Sequence, residues 1–213
     1  MLNTICCKFS IFIVRWLAMA FLGYRVSGQN NIPRTGGGII AANHQSFLDP
    51  PLIGSSISRP VYFLAKQELF TANRLFGLVL RLHNAVPLNR DATSADIMRK
   101  AISLLKEGKL VIVFPEGTRT YDGKVGEFKG GVVLLSAKSN TPIIPTYING
   151  SYRVWPRQSS LPVRLSPVTL IYTKPVWPDT CLRPAQQDRQ IANDSDGILK
   201  KVRAQITDLE NAN

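Results

Sequence analysis

The sequence is poor in histidine and cysteine, and its N-terminal part has no acid. Histidine occurs twice in 213 residues, as His44 and His83. The three cysteines, Cys6, Cys7 and Cys181, are an odd number with two adjacent, a poor disulfide framework that points to a reducing compartment. With no C-x-x-C pair and so few histidines, the chain does not fit a zinc site, and neither a metal nor another cofactor is expected. No Asp or Glu precedes Asp49, whereas Lys8, Arg15, Arg25 and Arg34 do. There is no internal repeat, heptad run or low-complexity tract. No uncharged apolar run approaches the roughly 20 residues that a spanning helix needs, which excludes a conventional transmembrane helix.

What is present fits one α/β domain, or one domain with a short appendage. Hydrophobic residues make up 45% of the chain, enough for a sizeable core. Lys and Arg outnumber Asp and Glu by 26 to 14, giving a net charge of +12. Such a balance calls for an anionic partner: nucleic acid, an anionic membrane surface or a phosphorylated small molecule. A basic surface kept for solubility is the plain alternative.

The segment Phe9–Tyr24, "FSIFIVRWLAMAFLGY", is apolar but interrupted by Arg15. "LAMA" at Leu17–Ala20 offers a signal-peptide cleavage pattern, but the unbroken apolar run before Arg15 covers only Phe9–Val14. Residues 1–27 are expected to form a membrane-associating helical segment. It would lie in or against the bilayer interface, with Trp16 at headgroup depth and Lys8, Arg15 and Arg25 near anionic lipid. A helix packed on the domain's own core is the competing reading.

From residue 28 onward, strand and helix patterns alternate. Short apolar runs at Ile39–Ala42, Val61–Ala65, Ala85–Leu88 and Leu110–Phe114 read as strands, as do "PIIPTYI" and "VTLIYT". Asp49-Pro50-Pro51 reads as a helix start, with Asp49 able to cap it. Within "TSADIMRKAISLLKEGK", Ile97, Ala101, Leu104 and Leu105 share one helical face, Thr93 or Ser94 can cap the start and Gly108 can end the helix. "GGVVLLSAKS" and a last stretch from about Asp196 to Glu210 read as helices. The expected fold is a central mixed, largely parallel sheet flanked by helices. Three polar loops follow apolar strands, at Asn43–Asp49, Asn89–Asp91 and Glu116–Arg119, the position where such sheets collect their chemistry.

The first loop, "NHQSFLDP", sets His44 five residues before Asp49. A histidine held in one tautomer by a carboxylate can take a proton from a hydroxyl near neutral pH. The alternative leaves His44 a satisfied core residue and Asp49 a helix cap. In "FPEGTR", Gly117 lets backbone approach a ligand, and Arg119 offers a planar fork for phosphate or carboxylate. Glu116 could hold Arg119, Lys129 or a ligand hydroxyl. Lys66, Arg90, Arg119 and Lys129 all follow strands, and cations beside a histidine suit a phosphorylated substrate whose hydroxyl must be deprotonated. His83 has no carboxylate near it in sequence and reads as a surface or turn residue.

Four stretches together resemble the glycerolipid acyltransferases. "NHQSFLDP" is similar to their N-H-x4-D block and "FPEGTR" to their second hallmark. "AVPLNR" resembles the segment ending in a substrate-binding arginine, and "TPIIPTYING" the apolar proline-containing block. The likeness runs in order from about Ile32 to Gly150. The small size is most like that of bacterial 1-acyl-sn-glycerol-3-phosphate acyltransferases. Asn84 stands where family members often have glycine. The resemblance implies an acyltransferase domain over residues 28–213, with His44 as general base and Asp49 as its partner. Glu116, Gly117, Thr118 and Arg119 would form the acceptor site, and Lys66 and Arg90 would bind phosphate. It further implies lysophosphatidate as acceptor, acyl-CoA or acyl carrier protein as donor, and a place on the cytoplasmic face of the inner or plasma membrane. Glycerol 3-phosphate or another lysophospholipid is the alternative acceptor. A basic nucleic-acid-binding protein is the alternative of another class, but it leaves both blocks unexplained, so no nucleic acid is expected.

Overall fold

The computed structural model describes residues 2–71, 74–89, 91–177 and 184–212. Its centre is a seven-stranded sheet in the order β1-β7-β6-β2-β5-β3-β4. The strands are β1 (Arg25–Ser27), β2 (Gly38–Ala42), β3 (Val61–Lys66), β4 (Ala85–Leu88), β5 (Leu110–Val113), β6 (Ile143–Asn149) and β7 (Thr169–Tyr172). Strands β2 to β6 are parallel, while β7 runs antiparallel to β6 and carries β1 parallel to itself. The expected mixed, largely parallel sheet is therefore what forms.

Burial follows from the two-residue alternation of a strand. Every residue of β2 is buried. Ile40 and Ala42 join a core on one face with Leu52, Ile112 and Ile148, whereas Ile39 and Ala41 join a core on the other with Leu105, Val111 and Ile143. A strand covered on both faces needs no polar side chain, which explains the unbroken apolar run.

Helices α1 (Leu2–Leu22), α2 (Asp49–Ser56), α3 (Glu68–Thr71) and α4 (Arg74–Leu82) precede β4. They are followed by α5 (Ser94–Lys106), α6 (Gly131–Ser139), α7 (Ser151–Val154) and α8 (Pro184–Asn211). In α5, Thr93 accepts from the Asp96 N–H while the Asp96 carboxylate accepts from the Thr93 N–H, a reciprocal cap. Gly108 at φ +78° then turns the chain toward β5. Helix α8 begins well before Asp196, the expected start. Among its residues whose burial is described, Ile198, Val202 and Ile206 form a buried apolar stripe, and the sequence before them is largely polar, with no periodicity to read.

Helix α1 is two-faced. Ala18 and Leu22 are buried in the core, and the Val168 N–H donates to the Leu22 carbonyl. Tyr24, just beyond, donates its hydroxyl to the Leu52 carbonyl at 2.8 Å. The other face leaves Phe9, Phe12, Trp16, Met19 and Phe21 exposed. No helix among the described residues is long and apolar enough to cross a membrane.

His83 sits in the turn after α4, one of the two expected readings, but it is not at the surface. It is 5% exposed, and its Nε2 lies 3.1 Å from the Ser10 hydroxyl of α1. The covering helix is far away in sequence, so local pattern could not reveal the burial. Burial lowers the His83 pKa. The neutral ring's contribution is present above about pH 6.5, the ordinary value, and is lost as pH falls below that toward the depressed folded value. Urea midpoints measured from about pH 8 down to about pH 5 should fall, and His83→Gln should flatten the slope. An unchanged slope in the variant would assign it to other groups.

Candidate active site

Strand β2 delivers the chain to the loop that carries the candidate histidine. Asn43 is fully buried where the β2–β6 ladder ends. Its amide donates to the Ile148 carbonyl at 2.9 Å and accepts from the Ile148 N–H at 2.7 Å. The next residue is gripped by the loop after β5. The His44 N–H donates to Glu116 Oε1 at 3.0 Å, and the His44 carbonyl accepts from the Thr120 N–H at 2.8 Å. The imidazole stacks on Phe114 with centroids 3.8 Å apart and planes within 14°.

The expected closeness of His44 and Asp49 is present. His44 Nδ1 lies 2.8 Å from Asp49 Oδ2, with the imidazole 18% exposed and the carboxylate fully buried. The i,i+5 spacing works because residues 45–48 form a turn rather than helix. Asp49 is the first residue of α2, but its carboxylate faces back into that turn. Oδ2 accepts from the N–H groups of Gln45 and Ser46, both at 2.7 Å, and Oδ1 accepts from the Ser151 hydroxyl at 2.6 Å. No side chain caps α2, whose N-cap is Leu48. The structure thus differs from the helix-cap reading. Because Oδ2 is the acceptor of both backbone bonds, it is an acceptor toward His44 as well, so Nδ1 is the donor and Nε2 keeps its lone pair in that tautomer.

Glu116 also differs from expectation. Its buried carboxylate accepts from the backbone N–H groups of His44 and Gly126 rather than from Arg119 or Lys129. Burial raises its pKa. Glu116 therefore ties the His44 loop to the loop after β5. Gly117 has φ +72°, a conformation that favours glycine, and a Cβ there would sit 3.1 Å from the movable Lys129 Nζ. Thr118 and Gly117 are exposed.

The Arg119 guanidinium lies over the Phe47 ring, 3.5 Å from its centroid, in cation–π contact. Its Nη1 is buried without a hydrogen-bond partner. Burial lowers its pKa, and the charge of Arg157 adds to this. Lys66 is exposed at the C-terminal end of β3, one strand from β5. Arg90 lies outside the described residues. Asn84, which stands in place of a glycine, has φ +58°, a left-handed conformation that asparagine tolerates.

Three contributors escaped sequence reading. Phe114 was read only as the end of a strand. Ser151 and Arg157 lie beyond the last recognisable block. Gly150 was the available signal: its φ is +92°, and a Cβ there would fall 2.1 Å from the Pro167 carbonyl oxygen. This sharp turn sends the chain from β6 back over the Asp49 loop. An open groove of about 1060 Å³ bordered by Phe12, Arg15, Arg34 and Tyr62 lies elsewhere, at the opposite ends of the parallel strands.

An imidazole held by a buried carboxylate at the C-terminal ends of a parallel sheet, with arginine in the next loop, defines a class: an α/β fold with a histidine–carboxylate pair at its strand ends. A family model described as Acyltransferase matches residues 23–149. The 1-acyl-sn-glycerol-3-phosphate acyltransferase of Bacillus subtilis is 32% identical over 129 residues, 60% of this chain and 63% of its own. A chloroplastic enzyme of the same name from Brassica napus is 30% identical over 177 residues, 80% of this chain and 51% of its own. The chain spans about half the length of the plant relatives it matches. The crystal structure of the 1-acyl-sn-glycerophosphate acyltransferase PlsC from Thermotoga maritima matches with a TM-score of 0.69 at 31% identity, covering 95% of this chain and 80% of that one. The chain belongs to the acyltransferase family.

Ser151→Ala removes one of Asp49's donors and leaves Oδ1 buried and unpaired. We expect a stability loss of about 1–3 kcal/mol by urea denaturation, the cost of a buried polar atom without a partner. A loss under about 0.5 kcal/mol, the range of neutral surface changes, would mean that another donor replaces the hydroxyl.

Proposed function

We propose that this protein transfers an acyl group from an acyl thioester, carried by CoA or acyl carrier protein, to the sn-2 hydroxyl of 1-acyl-sn-glycerol 3-phosphate, forming phosphatidic acid. The 2.8 Å contact between His44 Nδ1 and Asp49 Oδ2 carries this reading, because it leaves Nε2 ready to accept a proton. The relatives' names supply the acceptor, and the cations at the strand ends suit its phosphate.

In the proposed step, His44 Nε2 takes the proton as the sn-2 oxygen attacks the thioester carbonyl. The new C–O bond forms, the C–S bond breaks, and the imidazolium returns its proton to the departing thiolate. Asp49 keeps the ring oriented and stabilises its transient charge. Transfer is direct. The nearest serine hydroxyls are committed elsewhere, Ser46 to the Trp155 carbonyl and Ser151 to Asp49. Arg119, Thr118, Gly117 and Lys66 meet the acceptor's phosphate and glycerol, joined by Arg90. Glu116 acts through the backbone position of His44.

The membrane enters through α1. Phe12 is 64% exposed and Trp16 59%, and they share their face with Phe9. Such a continuous apolar surface suits an interfacial helix, with Arg15 and Arg25 toward anionic lipid. Residues 1–27 thus serve as the membrane-associating segment on the cytoplasmic face of the membrane, where a bilayer-borne lysophosphatidate and a water-borne thioester can meet.

Purified protein offered lysophosphatidate in vesicles with each thioester should release free thiol and form phosphatidic acid. His44→Ala should lower turnover by at least about 100-fold, the lower range for a lost general base. Near-normal turnover of folded His44→Ala would remove this mechanism. Phe12→Ser with Trp16→Ser should reduce sedimentation with vesicles and spare transfer to a short-chain soluble acceptor. Equal loss on both acceptors would argue against membrane delivery.

A further inference from the structure

The residues after β6 clasp both loops of the site. Three contacts do this at short spacing: the Ser151 hydroxyl donates to Asp49, the Trp155 carbonyl accepts from Ser46, and Arg157 Nη1 donates to the Arg119 carbonyl at 2.9 Å. The same nitrogen donates to the Thr118 hydroxyl. The Arg157 guanidinium also lies over the Tyr121 ring, 4.2 Å from its centroid. Arg157 is thus fixed on three sides to the segment 118–121.

This places a second guanidinium beside Arg119. Two like charges in a partly buried site repel, and the charge of Asp49 offsets this only in part, since burial and Arg157 together still lower the Arg119 pKa. Asp49 is held by the His44 turn and Ser151, while Glu116 accepts backbone N–H groups. Arg119 Nη1 remains without a hydrogen-bond partner. The two cations together have an unfilled demand for a doubly charged anion with several acceptor oxygens. A phosphate monoester supplies that near neutral pH, because its second pKa is about 6. A phosphodiester carries one charge and has a substituent on one of those oxygens.

We propose that Arg157 determines acceptor class. It positions Thr118 and Arg119 and adds the second positive charge that selects a phosphate monoester over a phosphodiester headgroup. This rests on the lysophosphatidate reading of the site and deepens it. It also assigns a role to a residue outside every recognisable block.

The test compares binding of decyl phosphate, a monoester, with methyl decyl phosphate, its diester, by calorimetry on the full chain. Wild type should prefer the monoester. Arg157→Gln should weaken monoester binding about tenfold or more, the range for a lost charge-assisted contact, and change diester binding much less. Arg157→Lys, which keeps the charge and loses the fork, should restore part of the preference. In turnover, Arg157→Gln should raise KM for lysophosphatidate while leaving KM for the thioester within about twofold. Equal weakening of both phosphates, or a preference unchanged in folded Arg157→Gln, would overturn the assignment. Because binding is read without turnover, a wild-type chain that transfers no acyl group would sink the proposed function separately. If Arg157→Gln fails to fold, Arg157→Lys decides: a preference kept in part or in whole supports the charge, and a lost one overturns it.

Discussion

The site depends on one buried carboxylate. Asp49 is fully enclosed, and an isolated charge there would cost several kcal/mol. Its donors come from three sources: the N–H groups of its own turn, the imidazole of His44 and the hydroxyl of Ser151. Each donor fixes a different part of the molecule. The turn N–H groups set the path from β2 into α2, the imidazole sets the tautomer, and Ser151 brings the end of β6 onto the site. Stabilising the charge and assembling the site are the same set of bonds.

The sheet order explains why these parts can meet. Strand β2 lies at the centre between β6 and β5. Its following loop therefore has the loops of both neighbours within reach. The loop after β5 supplies Glu116 and Thr120 to the backbone of His44, and the chain after β6 supplies Ser151 and Trp155. Parallel strands put all three loops at one edge. Strand β4, at the sheet's far edge, supplies a more distant loop.

Much of this was legible because the strands are short apolar runs closed by polar blocks. Val61, Ala85 and Leu110 begin strands where their patterns begin. The His44–Asp49 pair was legible as a spacing, because Asp49-Pro50-Pro51 marks the helix start and leaves His44 in the loop before it. Glu116 was misread, since its chemistry looked directed to cations, while backbone N–H groups leave no sequence trace. The turn at His83 was legible but its burial was not, because its cover is α1, more than seventy residues away. Ser151 and Arg157 were invisible for a similar reason. Their partners lie on neighbouring loops far away in sequence, and the only signal was the glycine at the turn that aims them.

The charge of the chain gains a local meaning from this arrangement. A net excess of bases describes the whole surface and selects no partner. At the strand ends, however, the two acids beside His44 are withdrawn into internal bonds: Asp49 faces its own turn and Glu116 faces backbone, whereas Asp91 and Asp122 in the neighbouring loops are exposed. The cations are not withdrawn in the same way. Lys66 is exposed, and Arg119 keeps an unpaired Nη1 against Phe47. On the proposed reading, these cations meet the phosphate at the strand ends, and the hydroxyl to be deprotonated is held near His44, the proposed proton acceptor. Binding and proton transfer then use separate groups: the cations hold the phosphate, and Asp49 acts only through the imidazole that it orients.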